Sequence, residues 1–149
     1  MNDRKLRAYD VVRRLARVRE MRAAASLSMA IQEERMKTLR LDEASAACDA
    51  VAVAAHACVE SGVSVDIPRY VTLLMLDESL TAKQQDAASE LASAAQAREV
   101  CATSSWLAKR YRERVGEHVK ETRQMMYRDR AARLQEEGVE LWMHGKEGA

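Results

Sequence analysis

From Leu73 onward every seventh position is small or apolar, through Leu80, Ala87, Ala94, Cys101, Ala108 and Val115. A repeat of 3.5 residues holds one seam of a helix toward one partner, so this ladder predicts a long coiled-coil helix that buries that seam against another helix. The row four positions on is weaker: Leu91, Val119 and Met126 are apolar, but Asp77, Arg98 and Arg112 are charged. The seam should therefore be narrow. Earlier in the chain Val11, Val18, Ala25, Leu39, Ala46 and Val53 share a seven-residue register broken at Gln32, with Leu15, Met29, Met36, Ala50 and Ala57 four positions after members of it. These two rows are the expected partner seam.

Between the two periodic stretches lies one strong break, ESGVSVDIPRY, residues 60 to 70. Gly62 suits the left-handed position that ends a helix, Asp66 can accept from free backbone N–H groups, and Pro68 is tolerated in a helix's first turn. The pattern predicts an all-α fold, two long antiparallel helices forming a coiled-coil hairpin. Residues 1–149 then make a single elongated domain, with helix one over about 4–61, a turn at about 62–66, helix two over about 66–142 and a mobile C-terminal tail. Gly116 and Gly138 each cost a helix about 1 kcal/mol relative to alanine, and Gly138 is the expected end of helix two. The alanine-rich ASAACDAVAVAAHAC before the turn lets two backbones approach closely but buries little area per residue.

Composition agrees with this and removes alternatives. With 32% charged residues, 4% aromatic residues and no Phe in 149 residues, there is too little bulky apolar matter for a globular core. With 48% hydrophobic residues and a net charge of +1, the composition is not that of a disordered chain either. No apolar run approaches the roughly eighteen residues needed to span a bilayer, and MNDRKLRAYD lacks the apolar stretch of a signal peptide, so a cytoplasmic protein that is not membrane-embedded is expected. Cys48, Cys58 and Cys101 form an odd set without metal spacing and read as small residues in or near the core.

Charge is distributed unevenly. Residues 1–22 carry eight Lys or Arg against three Asp or Glu, and residues 109–133 nine against four, a net +5 in each; residues 42–99 carry three against ten, a net −7. An antiparallel hairpin should bring the two basic segments together and leave the acidic one around the turn. Clustered charge steers and orients partners, so the basic region predicts an acidic ring, groove or polyanion as its ligand.

Catalytic signatures are missing. Gly138 and Gly145 do not have phosphate-loop spacing, and His56, His118 and His144 are scattered, so neither a nucleotide nor zinc is expected. Carboxylate pairs such as Glu33 with Glu34 and Glu136 with Glu137 point about 100° apart on a helix and read as solvated charges. The chain reads as non-enzymatic, with no cofactor, no metal and no small-molecule substrate. Arg4, Lys5, Arg7, Arg13, Arg14, Arg17, Arg19 and Arg22 could neutralise phosphates, but aromatic residues are too sparse for single-strand stacking and no groove-reading module is present, which argues against nucleic acid.

Three stretches resemble one family. RYVTLLMLDESLTAKQQ is similar to the start of the second helix, SSWLAKRYRERV to its later part, and YRDRAARLQEE to the charged C-terminal stretch of the central-stalk proteins of type III secretion, called YscO in virulence injectisomes and FliJ in the flagellar export apparatus. The resemblance covers nearly the whole chain: the length, two long helices, one short turn, an alanine-rich acidic turn region and an arginine-rich second helix. It implies a stalk that resembles the central subunit of rotary ATP synthases, binding the hexameric secretion ATPase through its termini and coupling it to the export gate protein, with some members also handling secretion chaperones. Its place would be cytoplasmic, peripheral to the inner-membrane export apparatus. By position it implies Arg13, Arg14, Arg17, Arg123, Arg128, Arg130 and Arg133 for ATPase binding. The MLDESLT stretch carries export-gate binding onto Leu76, Ser79 and Lys83, with Tyr70 and Thr72 just before; Thr72 stands where the family has an aromatic, and Tyr70 is the possible substitute. A generic structural coiled coil and a basic-ended nonspecific nucleic-acid binder are the two alternative readings.

Overall fold

A computed structural model describes residues 2–60 and 64–147. The chain is all-α: helix α1, Asn2–Glu60, and helix α2, Ile67–Glu147, pack against each other as a hairpin, with no strand among the described residues. α2 starts where its capping chemistry places it. Asp66 Oδ1 accepts from the backbone N–H of Arg69 at 3.2 Å, its carbonyl accepts the first helical bond from Tyr70 at 3.0 Å, and Pro68 sits in the first turn, where a missing N–H is harmless. Just before, Ser64 holds a left-handed φ of 43°. Gly62, expected to end helix one, lies outside the described residues.

α2 continues past 142 to Glu147, through Gly138 and Gly145, so the helix end expected at Gly138 is not observed. Two local terms offset the glycine cost. Lys146 Nζ lies 4.0 Å from the centroid of the Trp142 ring one turn earlier, and His144 and Lys146 place basic groups in the last turn, where the backbone carbonyls favour them.

The chain divides into two compact units, each built from both helices. The turn unit, residues 24–104, has Ala30, Val51 and Ala94 as its buried residues. Across its seam Glu34 meets Arg98 at 2.7 Å, Lys37 Nζ donates to Glu90 at 2.6 Å, and Gln84 Nε2 donates to Ser45 Oγ at 3.0 Å. Partner numbers fall on one helix as they rise on the other, so the strands of this unit are antiparallel. The terminal unit, residues 1–23 with 105–149, is antiparallel by the same criterion. Asp10 accepts from Arg123 at 2.9 Å, Glu20 meets Arg112 at 2.6 Å, and Ala16 and Val119 are buried.

The expected seam of α2 is the observed one: Leu73, Leu80, Ala87, Cys101, Ala108 and Val115 are half-buried and Ala94 is buried. The expected seam of α1 is not. Val11 (55% exposed), Leu15 (56%), Met29 (70%), Met36 (56%), Leu39 (54%) and Val53 (70%) face outward. The residues that approach α2 instead include Ala16, Glu20, Ala30, Glu34, Lys37, Cys48 and Val51. The inward face carries Leu27, Ile31 and Leu41, all half-buried, and it also supplies counter-charges. Arg98 and Arg112 stand in the α2 seam, and facing them with Val and Met would bury part of two guanidiniums without counter-charges. Glu34 and Glu20 supply those charges at the matching separation, and α1 turns that face inward.

Candidate functional site

The terminal unit gathers the two basic segments. Its arginines fall into two groups according to whether α1 and α2 have already engaged them. Arg123 donates to Asp10 at 2.9 Å, and Arg13 lies 3.7 Å from the same carboxylate, so Asp10 holds one arginine from each helix. Arg14, Arg17, Arg128, Arg130 and Arg133 are exposed, and no ion pair engages them among the described residues. Of the seven arginines predicted for ATPase binding, five are thus free cations on the surface, while Arg13 and Arg123 serve the hairpin as well.

Arg13 and Arg123 also border a shallow cleft of about 370 Å³, together with Val119, Lys120, Gln124 and Tyr127. Two of its three cations, Arg13 and Arg123, already meet Asp10, and Lys120 is the third. The cleft is open, and no carboxylate lines it. A neighbouring surface is made by α2 alone: Arg110 lies 5.4 Å from the centroid of the Trp106 ring, with Leu107, Tyr111 and Glu113 beside it. Arg19 of α1 lies 5.9 Å from the Tyr111 ring, and Tyr9 meets His118 edge-on at 5.8 Å. These cation–aromatic contacts hold the arginines extended along the surface rather than folded into it.

From Tyr127 to Lys146 every residue of α2 is exposed. Leu134 (61%), Leu141 (75%) and Trp142 (63%) are among them, which is more apolar surface than a solvated helix end requires. The sequence alone shows both the charges of this stretch and its apolar side. The signal was legible in the seven-residue spacing of Tyr127, Leu134 and Leu141.

The residues predicted for gate binding lie in the turn unit. Thr72, Leu76, Ser79 and Lys83 follow one another at three- or four-residue steps, so they share one face of α2, and all four are exposed. The Thr72 hydroxyl donates to the Pro68 carbonyl at 2.9 Å, which turns its polar group back into the helix and leaves the methyl outward. Tyr70 does not join them. It is half-buried in the row of Asp77 and Gln84, on the side that approaches α1, and so lies on a different face from Thr72. The turn unit also presents Val71, Leu74 and Met75 (68% exposed) near the start of α2, an apolar cluster that the resemblance did not single out.

Among the described residues no three His, Cys, Asp or Glu side chains converge on a point that could hold a metal ion, and no helix is long and apolar enough to cross a membrane. The three cysteines are free and half-buried. The Glu90 carboxyl has a lowered pKa. The hydrogen bond from Lys37, the Lys37 charge and, more weakly, Arg40 hold it below the ordinary glutamate value. Neither a protein-family model nor a curated protein nor a solved structure matches the chain.

Proposed function

We propose that the protein is a non-enzymatic central stalk of a bacterial type III secretion export apparatus. In this reading the terminal unit binds the hexameric secretion ATPase, and the face of Thr72, Leu76, Ser79 and Lys83 meets the export gate. Secretion chaperones are a further class of ligand that the resemblance implies. The observation that carries the reading is the gathering of two +5 segments into one compact unit with five of its arginines exposed and unpaired. A surface of that kind has little use within the chain and complements an acidic ring.

The mechanism is coupling by differential affinity. A stalk that favours one state of an ATPase ring must bind that state better, because equal affinity for every state shifts nothing. Charge reversal supplies the test. Arg17→Glu with Arg130→Glu removes two free cations and leaves the Asp10 cluster untouched. The double variant should keep its helical circular dichroism while losing most of its stimulation of the cognate ATPase and its binding in a pull-down at low salt. Absence of both stimulation and low-salt binding for the unaltered chain would overturn the reading, and unfolding of the variant would make the arginines structural.

A further inference from the structure

In the turn unit, α1 presents a second apolar seam on the face turned away from α2. Met29, Met36, Leu39 and Val53 are each more than half exposed, with Ala25, Ala46 and Ala50 in the same two heptad rows. The rows recur at three- and four-residue steps, which is the pattern that holds a helix against a helix rather than against an irregular surface. The stripe runs for about 50 Å, from Ala25 to Ala57, at about 1.5 Å per residue.

We propose that this face pairs antiparallel with the same face of a second copy of the chain. Its charges choose both the partner and the direction. A parallel pair in register would bury Glu43 against Glu43 and set Arg35 beside Arg40 of the other chain, so like charges exclude it. An antiparallel pair centred near Leu41 places Met29 opposite the second copy's Val53, Met36 opposite its Ala46, Gln32 opposite its Ala50 and Leu39 opposite its Glu43, so no two glutamates share a level. The same register brings Arg35 beside the second copy's Asp49, and Glu43 beside its Arg40, each twice by symmetry. Arg35 and Asp49 are exposed and have no ion pair within the chain, so both are available for it. At the dyad Arg40 and Asp42 each meet their own copy, an opposing term that the two Glu43 carboxylates reduce for Arg40 and not for Asp42. The inference does not depend on the stalk reading, since it uses residues assigned to neither the ATPase nor the gate.

The test is sedimentation equilibrium of the full chain over a concentration series, with circular dichroism to monitor folding. A monomer–dimer equilibrium is expected. Arg35→Glu alone and Asp49→Arg alone should each weaken it at least tenfold, and the two reversals together should restore it to within about threefold. Direction is read by cysteine cross-linking in a chain carrying Cys48→Ala, Cys58→Ala and Cys101→Ala. Met29→Cys and Val53→Cys chains should cross-link to each other when mixed and not to themselves. A monomer at all concentrations, a higher oligomer, failure of the double reversal to restore pairing, or Met29→Cys chains cross-linking to themselves would each overturn the proposal.

Discussion

If α1 turns its charged face inward because Arg98 and Arg112 require counter-charges, then the pair formed by Glu34 and Arg98 should be coupled well beyond an ordinary surface ion pair. The Arg98 side chain is 39% exposed and that of Glu34 26%, with 2.7 Å between Nε and the carboxylate, and Nε itself has no contact with solvent. Two unit charges about 4 Å apart interact by about 1 kcal/mol in water and about 4 kcal/mol at an effective dielectric constant of 20. With roughly a third of each side chain in water, and with Nε lying off the ideal hydrogen-bond direction, the coupling should settle at about 1–2 kcal/mol. Glu34→Ala alone should cost about 1–3 kcal/mol, because it leaves a desolvated guanidinium nitrogen unmatched. The assay is a double-mutant cycle of Glu34→Ala and Arg98→Ala in urea unfolding followed by circular dichroism. Arg110 and Glu113 serve as the control: they sit three residues apart on α2 at 3.6 Å with side chains 61% and 39% exposed, and their coupling should stay below about 0.5 kcal/mol. Equal coupling in the two cycles would refute the electrostatic account of which face α1 buries.

Two further outcomes follow from single residues. Because the folded-state pKa of Glu90 is lowered, its contribution to stability is present above the unfolded value and lost as pH falls through the folded one; a carboxyl NMR titration should show its midpoint below the ordinary glutamate value, and Lys37→Met should move it back up. Gly138→Ala should stabilise α2 by about 0.5–1 kcal/mol, since an added Cβ there meets nothing within 4 Å, and a lower urea midpoint in the variant would show that the glycine is required where it stands.

The all-α hairpin and the whole seam of α2 could be read from the sequence because the ladder from Leu73 to Val115 has no competitor on its helix. α1 carries two ladders. One holds Val11, Met29, Leu39 and Val53; the other carries Leu27, Ile31 and Leu41 among alanines, together with Glu20, Glu34 and Lys37, and packing selects that one. The information needed to choose was present. Arg98 and Arg112 stand at the same separation as Glu34 and Glu20, a match that apolar periodicity alone does not weigh. The gathering of the basic segments followed from the antiparallel topology. Which arginines stay free did not, because that depends on where Asp10 reaches. Tyr70 lies on another face than Thr72 for a simpler reason: a residue two positions away on a helix points about 200° around it.

The interior of this protein is made of Ala16, Ala30, Val51, Ala94 and Val119, and none of the described side chains is both large and fully buried. Melting such a chain wets little hydrocarbon, so its unfolding heat capacity increment is small and its stability curve is shallow. Cooling then weakens it little, and added salt should lower its stability by screening pairs such as Glu34 with Arg98, which carry a share of cohesion that oily side chains carry in a globular domain.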